Sequence, residues 1–286
     1  MLPGLDVLLA VLSAAFYGIA AAFQHIAAEE EPPEHSLKLS LLVNLLKHPT
    51  WWLGNLFDLL GFLFQFIALR FGPLSLVEPV AVSNLIFALE VGSILKKRRP
   101  SLMDLSAAGI TSLGIGLFIS AAKPQEGKGL GSFKGWLLVG VIVTLLVLLF
   151  SFLSKSRSSN KKALLLAGAS GMLLGFMAAS IELSAKELTR GFVHALLTPA
   201  PYMLMVTGLL GILLVQSAFQ AGELRFSLPL LTVLQPFVAI LIGIFIMGEK
   251  ISMRSIDPAL ELIGIGITVV GVIILGRGTE SVAKSE

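Results

Sequence analysis

Long apolar segments separated by short polar segments run along the whole chain of 286 residues. A helix that crosses a bilayer needs roughly 20 predominantly apolar residues, and the pattern contains nine segments of this kind. They cover residues 5–28, 50–70, 74–95, 102–122, 134–153, 163–187, 200–221, 228–248 and 257–276. The pattern therefore predicts an all-α integral membrane protein with nine transmembrane helices.

The segments between the predicted spans contain the Pro, Gly and charged residues that end helices. Examples are "EEEPPEHS", "KKRRPS", "KPQEGKGLGS" and "SKSRSSNKK". Spans two and three are separated only by "FGPLS", which predicts a tight helical hairpin. Residues 36–47 place Ser36, Ser40, Asn44 and Lys47 on one helical face, which predicts a helix at the membrane interface.

The composition supports membrane insertion and excludes several kinds of chemistry. Charged residues make up 14% of the chain, whereas soluble domains contain about 25%. The chain has no cysteine, which excludes disulfides, thiol chemistry and cysteine-ligated zinc. The net charge of +3 does not indicate binding of nucleic acid, because in a membrane protein the positions of Lys and Arg matter more than their sum.

The distribution of Lys and Arg predicts an orientation in the cell membrane. The loops after odd-numbered spans, together with the C-terminus, hold 13 of the 21 Lys and Arg residues, and the opposite side holds 8. Because Lys and Arg concentrate in cytoplasmic loops, the C-terminus is predicted to be cytoplasmic and the N-terminus to be outside. The start, "MLPGLDVLLAVL", has no basic region, so it is interpreted as part of a retained first span.

A shift of 157 residues superposes two parts of the chain without a gap. It brings "LLAVLSAAFYGIAAA" at 8–22 onto "LLAGASGMLLGFMAA" at 165–179. The superposed pairs include Ser13 with Ser170, Gly18 with Gly175, Gly54 with Gly211, Pro79 with Pro236, Gly109 with Gly266 and Gly114 with Gly271. One constant offset across several spans indicates an internal duplication.

Four spans recur in each copy and the fifth lies between the copies, so the second copy enters the membrane from the opposite face. The predicted domains are a first repeat at 1–128, a linking helix at 129–157, and a second, inverted repeat with a short polar tail at 158–286. Inverted repeats are the ground plan of many secondary transporters, whose substrate site lies where the halves meet. A duplication without transport is the alternative.

Four parts of the chain carry a resemblance to a known superfamily: "FQHIAAEE", "WWLGNLFDLLGFLFQFIALRFGPLSLVEP", "AFQAGELRFSLPLLTVLQPFVAILIGIFIMGEK" and the Gly-rich fourth and ninth spans. Nearly the whole chain resembles the drug/metabolite transporter superfamily (EamA-like), and within it the NIPA-like magnesium transporter branch. The superfamily pattern of a Pro that begins a span and a Gly-Glu that ends it is present at Pro236 and Gly248-Glu249, but the first half lacks the Gly-Glu. The resemblance implies secondary transport, with spans one, three, four, six, eight and nine lining a cavity. It leaves the cargo open.

Two carboxylates are predicted at the outer mouth of this cavity. Charged groups within a membrane cost about 2.5–3.5 kcal/mol and usually face a cavity or a partner. Glu78 lies early in span three and Glu182 near the outer end of span six, so both are candidate ligands for a divalent cation, which prefers oxygen. Alternatively, Glu182 pairs with Lys186 one turn on, and Glu78 lies in the headgroup layer.

Asp58 and Asn84 are the candidate polar groups nearer the middle of the membrane. Asp58, in span two, is a candidate coupling or ion site, or a protonated group that hydrogen-bonds within the bundle. Asn84, in span three, is a candidate carbonyl ligand, so the candidate metal set is Glu78, Glu182 and Asn84. Glu90 is close to the basic "KKRR" loop and is expected to form a structural ion pair.

Gln24, His25 and Gln235 are candidates for the inner end of the route. A histidine titrates near physiological pH and can act as a gate, but a lone histidine near a helix end is more often an interfacial residue. Pro79 and Pro236 are candidate helix breaks that free a backbone carbonyl. Alternatively, each proline lies in the first turn of its helix, where no hydrogen bond is lost.

The leading hypothesis is a secondary transporter that moves a divalent cation such as Mg²⁺ by alternating access, without a cofactor. The alternative is an exporter of small organic metabolites, amino acids or drugs, with Phe16, Tyr17, Phe23 and Phe87 forming an aromatic pocket. An enzyme is not expected, because the four histidines are dispersed and no catalytic constellation is recognisable. The expected partners are membrane lipid and the transported solute, and span five is a candidate homodimer surface.

Overall fold

The computed structural model describes residues 5–71, 80, 83–97, 102–122, 130–188, 190–248 and 257–277. Every regular element within these ranges is helical, which confirms the predicted all-α class. The α-helices are α1 (Leu5–Glu29), α2 (Leu39–Leu45), α3 (Pro49–Phe71), α4 (Asn84–Leu95), α5 (Leu102–Ala122), α6 (Phe133–Ser154), α7 (Ser159–Leu188), α8 (Phe192–Leu197), α9 (Ala200–Ala221), α10 (Leu224–Phe245) and α11 (Asp257–Arg277). A 3₁₀ turn at Pro33–His35 precedes α2.

Five of these helices contain a stretch that is long and apolar enough to cross a membrane. The stretches are Val7–Glu29, Phe133–Ser154, Ser159–Ile181, Ala200–Ala221 and Leu224–Phe245. Shorter apolar stretches occupy Asn84–Leu95, Leu102–Phe118 and Ala259–Gly271. The chain is therefore a multi-pass helical membrane protein. The count of nine spans stays a prediction, although each predicted segment overlaps one of the described helices.

A helix is present within the predicted segment 36–47, as α2 (Leu39–Leu45), and its position at the membrane interface stays a prediction. Leu41 and Leu45 are fully buried against the bundle, whereas Leu39 and Val43 are more than half exposed. Thus α2 packs one apolar face on the protein and leaves the other on the surface. A second short helix, α8, precedes α9 and was not predicted from the sequence.

In the first half of the chain (α1 to α5), α1 packs on α3 through small residues spaced seven apart. A Cβ atom on Gly54 would lie 2.8 Å from the Gln24 side chain, and one on Gly61 would lie 2.9 Å from the Tyr17 ring. Ala68, seven residues further, is also fully buried. The contacts move back along α1 as they move forward along α3, so the two helices are antiparallel.

Helix α4 packs alongside α1, and α10 packs in the same way on α7 in the second half (α7 to α11). A Cβ atom on Gly18 would lie 2.6 Å from the backbone oxygen of Asn84. Likewise, a Cβ atom on Gly175 would lie 2.5 Å from the backbone oxygen of Gln235. Asn84 and Gln235 therefore occupy corresponding places in the two halves. The single shift of 157 pairs Gln235 with Glu78 instead, so the register predicted between α4 and α10, which also pairs Pro79 with Pro236, differs from the described contacts.

The contact between α7 and α9 also matches that between α1 and α3, but with a different register from the predicted one. The Ser13 hydroxyl donates to the Gly61 carbonyl at 2.9 Å, and the Ser170 hydroxyl donates to the Gly211 carbonyl at 3.1 Å. The single shift pairs Gly211 with Gly54, seven residues before Gly61. Seven residues are about two helical turns, so the same face of α3 is presented in both registers.

Helices α5 and α11 cross each other through reciprocal contacts. A Cβ atom on Gly114 would lie 2.5 Å from the backbone nitrogen of Thr268, and one on Gly271 would collide with the backbone and hydroxyl of Thr111. Each threonine hydroxyl also donates to the carbonyl four residues earlier, at 2.9 and 2.8 Å. As residue numbers rise along α5 the contacted numbers fall along α11, so the helices are antiparallel.

Pro236 lies inside α10, as does Pro229. The alternative that Pro236 sits in the first turn of a helix is therefore wrong. Since proline has no N–H group, Pro236 cannot donate the helical hydrogen bond to the carbonyl of Thr232. Pro79 falls outside the described residues, so its helix break stays a prediction.

Candidate functional site

Polar contacts between the two halves cluster at one end of the bundle, where α1 and α4 finish and α10 begins. We call this the Glu29 end. Gln216 Nε2, on α9, donates to Gln24 Oε1, on α1, at 3.1 Å. Next to this pair, His25 Nε2 lies 2.9 Å from the carbonyl oxygen of Gly222, between α9 and α10. A carbonyl oxygen only accepts, so this ring nitrogen carries the proton.

The connection between α1 and α2 adds further contacts to the second half at the same end. Gln220 Nε2, on α9, donates to the carbonyl oxygens of Glu31 at 3.1 Å and Pro32 at 2.7 Å. The Leu37 N–H group donates to the Ser217 hydroxyl at 3.0 Å. These hydrogen bonds hold the polypeptide after α1 against α9 and close the space between the halves at the Glu29 end.

Two ion pairs tie the helix termini together at this end. Arg225 Nη1, in the first turn of α10, lies 3.3 Å from Asp104 Oδ2 in the first turn of α5. Lys96 Nζ, at the end of α4, lies 2.6 Å from Glu29 Oε2 at the end of α1. Lys96 begins the basic loop that was expected to pair with Glu90, and its described partner is Glu29.

Asp58 is linked to this cluster through Gln24. The Asp58 carboxyl group and the Gln24 side chain are hydrogen-bonded, which forms a polar chain from α3 through α1 to Gln216 on α9. Gln216 is only 2% exposed, and its Oε1 atom has no hydrogen-bond partner among the described residues. Asp58 itself is exposed. An acid in a membrane helix normally faces a cavity or a partner, and the described partner of Asp58 is Gln24.

Asn84 presents a second buried amide oxygen without a partner. Asn84 begins α4, and its Oδ1 atom has no hydrogen bond to any residue that the structure describes. Leaving a buried acceptor unpaired costs about 1–3 kcal/mol, so such an atom is available to a cation or to water. The role of Asn84 as an oxygen ligand stays a prediction. Gln235 lies at the corresponding place in the middle of α10 (Leu224–Phe245), and not at the Glu29 end of that helix beside Gln24, where it was predicted.

Burial along the two seam helices varies with position. On α1, Ala28 is fully buried and Leu8 is 56% exposed, but Ala10 and Ala14 near Leu8 are also fully buried. On α10, residues 226–229 are buried, none of residues 230–241 is, and Ile242 and Gly243 are buried again. The least buried part of α10 is therefore its middle.

The predicted acidic mouth consists of Glu78 and Glu182. Glu78 lies outside the described residues, and Glu182 lies in α7 with a side chain that is not described. Within the described ranges, no group of three or more His, Asp or Glu side chains is arranged to hold a metal ion. The metal set of Glu78, Glu182 and Asn84 therefore stays a prediction.

Three of the four aromatic residues proposed for an organic pocket contribute to the packing of α1 on α3, and the fourth, Phe87, lies on α4. Phe16 and Phe23 stack on Phe57 and Phe64, with ring centroids 5.2 to 6.0 Å apart. The Tyr17 hydroxyl donates a hydrogen bond to α3 at 3.0 Å. These side chains are engaged between two helices, which does not favour an aromatic substrate pocket at this place.

The sequence analysis missed several polar residues of the seam, among them Gln216, Arg225 and Asp104. Gln216 and Gln220 are amides in an apolar span, which is a signal of the same kind as Gln24. Arg225 and Asp104 each lie at the start of a span, where a charge is usually attributed to the headgroup layer. Their pairing across the halves depends on the tertiary structure.

The membrane helices and the polar seam define a multi-pass helical membrane protein with a polar contact region between its halves. Comparison with known proteins adds a family. The chain is 31% identical over 290 residues to an uncharacterized protein of Corynebacterium glutamicum, covering 99% of this chain and 98% of that protein. It belongs to the family of that protein.

A second relative has a name that includes a function. The chain is 23% identical over 256 residues to the "Probable magnesium transporter NIPA9" of Arabidopsis thaliana, covering 85% of this chain and 74% of that protein. Together with the apolar helices, this distant similarity supports a membrane transporter. No family model and no solved structure matches the chain, so membership of the EamA-like superfamily stays a prediction.

Proposed function

We propose that this protein is a secondary transporter that carries Mg²⁺ or a similar divalent cation along the seam between two inverted halves. The observation that carries the proposal is the hydrogen-bonded series of Asp58, Gln24 and Gln216, which leads from the exposed Asp58 to the buried Gln216, in a protein distantly similar to a probable magnesium transporter. Mg²⁺ keeps several waters and binds through one or two carboxylates. The hydrogen-bonded series offers one carboxylate, that of Asp58, beside the amide oxygens of Gln24 and Gln216.

The inverted repeat is supported by matching contacts in the two halves. Thr111 and Thr268 correspond at the predicted offset of 157, as do Gly114 and Gly271, and the members of these pairs contact each other reciprocally. When equivalent helices run antiparallel, the two copies have opposite orientations. The proposed arrangement is therefore α1, α3, α4 and α5 in one repeat, α7, α9, α10 and α11 in the other, and α6 as the linker.

Alternating access gives a role to the hydrogen bonds and ion pairs at the Glu29 end. With the C-terminus in the cytoplasm, this end is the cytoplasmic one, and the described state is closed there. Opening it requires His25 to leave Gly222 and Arg225 to leave Asp104. Neither contact is covalent, so the two halves can separate here while α5 and α11 remain crossed.

The proposed route runs from the predicted mouth at Glu78 and Glu182, past Asn84 and Gln235, to Gln24 and His25. Oxygen atoms are the ligands that a hard divalent cation prefers. An inside-negative potential favours entry in this direction by about 2.3 kcal/mol per charge per 100 mV. The exposed apolar face of α6 is left for lipid or for a second copy of the chain in a homodimer.

Purified protein in liposomes that contain a Mg²⁺-sensitive dye tests this proposal. An inside-negative potential is expected to drive Mg²⁺ influx, and Glu78→Gln with Glu182→Gln is expected to lower the influx about tenfold, which corresponds to about 1.4 kcal/mol. Glu34→Gln, an exposed position before α2, is the matched control and should leave the influx unchanged.

Three results separate the alternatives. Absence of Mg²⁺ influx together with counterflow of an amino acid or another organic solute would replace the cation by a metabolite. Mg²⁺ influx that is insensitive to the double variant would remove the acidic mouth but keep the function. Absence of any flux would leave the protein as a membrane scaffold.

A further inference from the structure

A groove of about 800 Å³ lies between α6, α7 and α9, away from the seam. Its floor contains Trp136 and Phe176, whose rings meet edge to face with centroids 5.8 Å apart. Its rim contains Phe133, Leu137 and Val206, which are 57 to 71% exposed. The groove is therefore apolar throughout most of its length and opens towards the hydrocarbon of the membrane.

The length of the groove matches one leaflet of a bilayer. Its lining on α6 begins at the start of the helix, with Phe133, and extends to Leu145. At 1.5 Å per residue these twelve steps cover about 18 Å, and half of the hydrocarbon core is about 15 Å. Trp136 and Tyr202 lie towards the same end, as expected of aromatic residues at the headgroup level.

Charged groups are present at this end of the groove and are mainly basic. Arg190 and His194 are 55% and 51% exposed, and Lys134 is exposed beside Phe133. The described acidic group here is Glu187, whose Oε2 lies 3.6 Å from Arg190 Nη1 and 3.1 Å from His194 Nε2. With Glu187 offset by Arg190, Lys134 leaves the rim with a net positive charge.

We propose that the groove binds an anionic glycerophospholipid, with one acyl chain along α6 and the phosphate beside Lys134 and Arg190. The apolar length selects an acyl chain, and the basic end selects a negative headgroup. One net positive charge near the headgroups gives about a fivefold preference for an anionic lipid over a zwitterionic one.

Trp136 provides a reporter inside the groove. The chain has three tryptophans, so Trp51→Phe with Trp52→Phe leaves Trp136 alone. This variant is placed in phosphatidylcholine vesicles that contain a minor fraction of phosphatidylglycerol. Two preparations are compared: in one, the acyl chains of phosphatidylglycerol carry bromine, and in the second, those of phosphatidylcholine do. Per brominated molecule, phosphatidylglycerol is expected to quench Trp136 about fivefold more effectively.

Two variants separate the groove from general lipid contact. A Cβ atom on Gly140 would lie 3.7 Å from the Phe176 ring, which is an ordinary contact, so Gly140→Leu is expected to place its side chain in the groove. It is expected to abolish the selective quenching. Gly266→Leu on α11, where an added Cβ atom meets no described atom within 4 Å, is the control and should keep it. Lys134→Gln with Arg190→Gln should make the two lipids equally effective.

Equal quenching by the two lipids in the unmodified groove would overturn the proposal, because it shows only bulk lipid contact. Selective quenching that survives Gly140→Leu would also overturn it, since the lipid would then lie elsewhere. If Phe133→Cys crosslinks two chains to each other, and Trp136 is quenched by neither lipid, the groove is occupied by a second copy of the chain. None of these results depends on Mg²⁺ transport.

Discussion

Gly114→Ala and Gly271→Ala are each expected to lower the free energy of unfolding by about 1–3 kcal/mol, the usual cost of overpacking. The Cβ atom at position 114 would lie 2.5 Å from the backbone nitrogen of Thr268, and the one at position 271 would collide with Thr111. Backbone atoms cannot move aside as a flexible side chain can, so α5 and α11 would have to separate. Thermal unfolding in detergent measures the loss.

The same two helices supply matched controls for this experiment. An added Cβ atom on Gly109 of α5 or Gly266 of α11 meets no described atom within 4 Å. Because alanine is a better helix former than glycine by about 0.5–1 kcal/mol, Gly109→Ala and Gly266→Ala should be neutral or slightly stabilising. Equal destabilisation at all four positions would show that the crossing of α5 and α11 is not the close contact described.

Gln24→Leu is expected to lower Mg²⁺ influx at least about tenfold, which corresponds to about 1.4 kcal/mol. Leucine removes the hydrogen bond to Asp58 and the 3.1 Å hydrogen bond from Gln216, so both partners are left unpaired at the Glu29 end. The substitution also inserts an apolar side chain into the proposed route. Influx into liposomes, normalised to the amount of folded protein, measures the effect.

The control for Gln24→Leu is Asn55→Ala. Asn55 lies on α3 near Asp58, but its side chain donates to the Trp51 carbonyl of its own helix at 2.8 Å. Asn55→Ala should therefore leave Mg²⁺ influx within about twofold of the parent protein, because substitutions away from such contacts usually change the free energy by no more than about 0.5 kcal/mol. If Gln24→Leu transports as well as Asn55→Ala, the polar chain of Asp58, Gln24 and Gln216 is not on the route.

The helices and their approximate positions could be predicted because a membrane span needs a long apolar segment, and such segments are visible in the sequence. Register was harder to predict. Gly54, Gly61 and Ala68 repeat every seven residues, or about two helical turns, so small residues superpose well in either of two registers. The hydrogen bonds of Ser13 and Ser170 to Gly61 and Gly211 distinguish them.

The candidate site could be predicted in part. Gln24, His25 and Asp58 were selected because polar groups in a membrane are costly; the structure brings Gln24 and His25 to the seam and hydrogen-bonds Asp58 to Gln24. Their partners Gln216 and Gly222 could not be derived, because they lie almost 200 positions away in the chain, at separations of 192 and 197 residues. Sequence periodicity carries no information on such contacts.

The opposite orientation of the two halves is the claim on which the route, its mouth and its gate depend. Because the chain has no cysteine, Glu34→Cys and Arg190→Cys each introduce a single reactive group. Both positions are exposed, and they follow α1 and α7, the corresponding first helices of the two halves. Each variant is placed in sealed vesicles of uniform orientation and treated with an impermeant maleimide. Reagent on one side of the membrane is expected to label only one of the two variants, and reagent on the opposite side is expected to label only the second. Labelling of both from the same side would contradict the inverted arrangement.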